Sequence, residues 1–145
     1  MVHALQKIHW LLAENGRLID IHPNGEPPPI HIKLGDETHL AGWVQEYDDY
    51  ASYEEAGAAL ETAVSEGLFV WEQQSKFAFT TYADSLEELQ AYIATDWQNA
   101  YIEDAVVRRI AEWLDSIVPD KQIVLQEVIN IARLNPVADS PQQPT

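Results

Sequence analysis

With 145 residues, 46% of them hydrophobic, the chain has the length of one domain and enough apolar side chain to bury roughly 68–70% of its unfolded surface. It has no cysteine, which excludes disulfides, thiolate metal sites and cysteine nucleophiles. A formal charge of −16 repels a nucleic-acid duplex, and no apolar run approaches the ~18 residues of a membrane span. The expectation is a cytoplasmic protein with neither nucleic-acid nor membrane partners.

The chain opens on Leu5, Ile8 and Leu12 at helical spacing, with Ala4 and Leu11 beside them. Asn15-Gly16 supplies left-handed residues to stop that helix, and 17–22 reads as a short strand closed by Pro23. Pro27-Pro28-Pro29 imposes an extended approach to a strand over 30–34. Gly35-Asp36-Glu37 turns the chain into a second arm over 38–44, which makes a hairpin. Ser52, followed three residues later by Glu55, predicts a capping box for a helix that ends at Gly67, with Tyr53, Ala56, Ala59, Leu60, Ala63 and Val64 on its stripe.

Residues 68–82 form the longest strand candidate. Phe69, Trp71, Phe77 and Phe79 share one face, expected to be core, and Glu72, Gln74 and Lys76 share the other. Asp84 or Ser85 caps a helix carrying Leu86, Leu89, Tyr92 and Ile93. A further helix over 101–118 turns Val106, Ile110, Trp113, Leu114 and Ile117 inward, and 121–134 reads as the last strand. Residues 1–134 are therefore expected to be one domain, and 135–145, with three prolines, a disordered tail.

The order helix, turn, strand over 1–23 resembles the late helix and fifth strand of class I S-adenosylmethionine-dependent methyltransferases. Glu66-Gly67-Leu68-Phe69, Phe77-Ala78-Phe79 and Asp84-Ser85-Leu86-Glu87-Glu88-Leu89 resemble a stretch of that family's later region. The resemblance extends over most of 1–134. It implies an α/β fold, α+β in detail: a three-layer domain with a mixed, mostly antiparallel sheet and helices on its faces, as in a truncated Rossmann-like methyltransferase. It also implies that 122–134 inserts antiparallel between 17–22 and 68–82. The glycine-rich turn that such an enzyme uses to approach its cofactor has no counterpart, since no G-x-G occurs. No cofactor is therefore expected, and the chain reads as a remnant acting in binding or assembly without catalysis. A start assigned inside a complete methyltransferase is an alternative.

Candidate chemistry gathers in the first third of the chain. His22 sits at the carboxyl end of a strand with Asp20 two residues earlier on the same side, so the pair are the candidate catalytic residues, His22 as general base. The competing reading is a strand that merely closes on polar residues. Trp43 and Tyr50 are the candidate lining of a small-molecule pocket near His22. His3, His9, His31 and His39 lack the close pairs of known zinc signatures, so no metal site is expected. Lys33 and Lys76 bracket a window with ten carboxylates and no basic residue, a docking face for a basic protein or simply a solvated one. The first helix and strand are expected to make a homodimer.

Overall fold

A computed structural model describes residues 1–138. The fold is mixed α/β, with four helices among the described residues and mostly antiparallel strand pairing. The elements run α1 (Val2–Leu11), β1 (Leu18–Pro23), β2 (Pro29–Leu34), β3 (Glu37–Trp43), β4 (Gln45–Glu46), α2 (Ala51–Ser65), β5 (Phe69–Ala83), α3 (Leu86–Asp96), β6 (Ala100–Tyr101), α4 (Asp104–Leu114) and β7 (Lys121–Pro136). No helix among them is long and apolar enough to cross a membrane. The packing gathers into two compact units, and the long strands β5 and β7 supply residues to both.

Among the described residues, the first unit holds Met1–Asn24, Ser52–Phe77 and 129–138. Here β1 pairs antiparallel with the second half of β7, which sets Leu18 opposite Leu134, Asp20 opposite Ala132 and His22 opposite Asn130. Side chains alternate across a strand, so these residues share one face while Ile19 and Ile21 take the other. Leu5, Leu60, Ala63, Phe69, Ala132 and Leu134 form the core, with Leu18 and Trp71 packed against it. Helices α1 and α2 thus cover the Leu18–Asp20–His22 face. Ile19 and Ile21 remain 52% and 59% exposed. Asn15, at φ 63°, makes the left-handed turn between α1 and β1 that its sequence predicts. On β5, Phe69 is buried and Trp71 half-buried, but Phe77 is exposed, so the predicted aromatic core face ends after two residues.

The second unit holds Gly25–Ala51 and Ala78–Val128. The β2–β3 hairpin forms as expected, and β2 also pairs antiparallel with the first half of β7. Its core is Ile30, Ile32, Val44, Leu89, Ile93, Val106, Ile110, Ile123 and Leu125, with smaller residues between them. Gly42 lies so close to α4 that a Cβ there would stand 2.5 Å from Val106 Cγ2. Ser85 caps α3 by accepting from the Glu88 amide at 3.1 Å, while Glu88 accepts from the Asp84 amide at 2.7 Å, a reciprocal closure of the helix start.

Four expectations are corrected. Helix α2 begins at Ala51, so Ser52 lies inside it and is not its cap. Residues 101–118 do not form one helix: Ala100–Tyr101 pairs with Gln45–Glu46 as a two-residue ladder, and α4 starts only at Asp104. It also ends early, because Pro119 forces the preceding residue out of helical geometry and Lys121 Nζ takes the Leu114 carbonyl at 2.6 Å. Ile117, expected inward, is fully exposed, and Phe79 is 50% exposed. Finally, β7 runs to Pro136, so the strand takes the first two residues of the predicted tail. Residues 139–145 of that tail lie outside the described residues.

Candidate functional site

In the first unit, Asp20 and His22 stand two apart on β1 and therefore on one face of the sheet. His22 Nδ1–H donates to Asp20 Oδ2 at 2.5 Å, with the two side chains 15% and 24% exposed. A carboxylate accepts only, so this contact fixes the proton on Nδ1 and leaves Nε2 as the nitrogen that can meet a ligand.

The pair opens into a cleft of about 290 Å³. Gly57, Leu60 and Glu61 of α2 form one wall, Trp71 to Lys76 of β5 contribute a second, and Asn130 to Ala132 of β7 close it. Its volume is at the lower end of small-molecule sites. Trp71 and Leu60 belong to the core behind the cleft, so its apolar wall is anchored. Glu61, Gln74, Ser75 and Lys76 are exposed and form the rim.

Two details mark this cleft. Asn130 Oδ1 is buried without a hydrogen-bond partner, a state that costs about 1–3 kcal/mol. Gly57 sits inside a helix, where glycine costs roughly 0.5–1 kcal/mol relative to alanine, yet a Cβ there would meet nothing within 4 Å. Packing does not require this glycine. What its missing side chain preserves is open volume in the cleft.

Trp43 and Tyr50 do not line this cleft. Both belong to the second unit, where Trp43 is 45% exposed at the end of β3 and Tyr50 is buried, its hydroxyl donating to the Val44 carbonyl at 2.6 Å. The remaining histidines also go elsewhere. His9 lies against the Val137 carbonyl and the Phe69 ring edge, and His39 stacks on Trp113 at 4.1 Å. His39 faces Ile32 across the hairpin, and His31 faces Leu40, so the two do not converge. No group of three metal-ligating side chains gathers among the described residues.

A second polar cluster lies in the other unit. Glu46 is 6% exposed and accepts from Trp97 Nε1–H at 2.5 Å. Burial, and after it the Glu46 charge, pushes the Glu127 carboxyl up from its ordinary range. Burial is likewise the main reason that the Tyr92 phenol is raised, with the charges of Glu127 and Asp96 adding to it. Asn99 Nδ2 donates to Asp48 Oδ1 at 2.9 Å, and Tyr47 stacks on Tyr101 beside the β4–β6 ladder. No cleft opens on Glu46, so the cluster reads as a tie between two chain segments.

Sequence reasoning found Asp20 and His22 but missed Asn130, Glu61 and Gly57, and it read Trp71 chiefly as part of an aromatic core face. Asn130 did carry a signal, as a lone amide inside the apolar run Val128-Ile129-Asn130-Ile131. Compared with protein-family profiles, with curated proteins and with solved structures, the chain matches none of them.

Proposed function

We propose that this chain is a binding domain without catalysis of its own, and that it takes a small molecule in the Asp20–His22 cleft. The observation that carries the reading is the imidazole that Asp20 orients on the wall of a partly apolar cleft. A general base needs a substrate bond placed against it. The cleft offers neither a built oxyanion site nor an oriented nucleophile, so binding is the simpler assignment. The remnant character is part of the same proposal: β7 has both β1 and β5 as neighbours, the strand neighbourhood that the methyltransferase resemblance implies.

Titration of a small-molecule fragment set, followed by amide and imidazole nuclear magnetic resonance, tests the reading. Shifts confined to His22, Gly57, Trp71 and Asn130 are the expected result, and a set in which no compound moves them rejects it. S-adenosylmethionine is expected to give no heat in calorimetry. A micromolar dissociation constant, about 8 kcal/mol of binding, would reject the remnant reading.

A second reading, self-association, is favoured by one feature. Strand β1 stands at the end of the sheet order and exposes Ile19 and Ile21 together, an apolar edge of the kind that proteins pair or cover. Light scattering decides it: a monomer of 16.4 kDa at tens of micromolar, the mass of one chain, removes the dimer.

A further inference from the structure

The chemistry of the cleft's interior is one-sided. Asp20 presents a carboxylate, and its contact with His22 Nδ1 leaves Nε2 as the imidazole's second polar atom. The carboxylate accepts hydrogen bonds and carries the interior's formal charge. The donors, Gln74, Ser75 and Lys76, are on the exposed rim, where Glu61 offsets the lysine charge. Behind these groups the wall is aromatic and aliphatic: Trp71, Leu60, Ile131 and Ala132.

From this arrangement, and resting on the reading that the cleft binds a small molecule, we infer that its ligand is a small organic cation: an ammonium or amidinium group carried on a flat apolar body. Such a group brings several N–H donors at once. It neutralises Asp20 and stands beside the His22 ring that Asp20 orients. An indole wall favours a neighbouring cation over an anion through its ring quadrupole. The chain's net charge of −16 draws cations toward the cleft and holds anions off. The open space over Gly57 is room for the apolar body.

Four probes of similar size test the inference: benzamidine, 2-phenylethylamine, neutral 2-phenylethanol and anionic 3-phenylpropionate. Each is titrated into the full chain by calorimetry and by amide and indole magnetic resonance. Both cations are expected to saturate, with shifts at Gly57, Trp71 and Asn130, and the anion to give none. Asp20→Asn lowers the cation affinity by about tenfold or more, the loss of one charge-assisted contact. Gly57→Leu blocks the cleft while leaving the melting temperature unchanged or higher, because leucine is the better helix former. Its intact fold separates lost binding from lost structure. If the alcohol or the anion binds as tightly as the amine, the cation assignment fails while the binding reading stands. If no probe moves these residues, both fail. Cation binding that both variants leave intact is generic attraction to an acidic surface, and it too overturns the assignment.

Discussion

The molecule uses one contact twice, with opposite consequences. In the first unit a carboxylate, Asp20, accepts from a ring N–H of His22 at 2.5 Å, and in the second Glu46 accepts from the ring N–H of Trp97 at the same distance. An indole has one polar atom, so the Glu46–Trp97 contact consumes it and only hydrocarbon remains beyond. An imidazole has two, so the Asp20 contact orients the ring and leaves a second nitrogen in play. Burial follows the same division: Glu46 is 6% exposed, whereas Asp20 and His22 border a cleft. Identical local geometry therefore ties segments together in one unit and prepares a site in the other. What differs is the ring's remaining chemistry and the space around it.

The largest effect is expected for Trp97→Phe. It keeps most of the ring but takes one donor from a buried carboxylate, and we expect a loss of about 1–3 kcal/mol in urea unfolding. If stability is unchanged, the Glu46 contact is not the tie assigned to it. Asn130→Val tests the other unit with the opposite sign. It removes an orphaned acceptor from a strand position that suits a β-branched residue, and is expected to stabilise the protein by about 1–2 kcal/mol. A destabilised variant would mean that Asn130 is satisfied in solution.

Glu127→Gln gives a pH signature. Burial and the Glu46 charge raise the Glu127 carboxyl, so the folded protein holds this proton more tightly than the unfolded chain does. The resulting penalty is fully present above the folded-state pKa and disappears as pH falls to the unfolded carboxylate range. The variant is therefore expected to be more stable than the parent at neutral pH, and the two should converge on acidification. A gain that stays constant with pH would assign the effect to packing. The smallest effect is expected for His22→Asn, a loss of about 1 kcal/mol at most, with ligand binding abolished. A large drop in stability would place His22 among the structural ties alongside Trp97.

The parts of the fold legible beforehand were those that repeat. Strands β1, β2, β3, β5 and β7 and helix α3 each show their period over several residues, and Asn15 and Gly35 mark their turns. The β4–β6 ladder was invisible because two residues carry no period; its registration comes from segments far apart in the chain, Gln45 pairing with Tyr101 and Glu46 with Ala100. Helix α4 was overextended because Ile117 fits its apolar stripe, although Pro119 and the capping lysine end the helix first. Phe77 and Phe79 continue an alternation that begins in core, but a strand of 15 residues outruns the helices that cover its start. Half of the cleft could be read, since the spacing of Asp20 and His22 fixes a shared face. The other half comes from α2, β5 and β7, which meet β1 only through tertiary packing.

The near-contact between Gly42 and Val106 reaches beyond one structure. With a prospective Cβ only 2.5 Å from a valine methyl, the two positions do not vary independently. A lineage gains alanine at position 42 without displacing α4 only after position 106 has shed its branched side chain. Once 42 is filled, valine at 106 is barred in turn. The order of substitutions is then set by geometry, and descendants of this chain are expected to carry the pair in matched combinations, small at one position wherever the other is large.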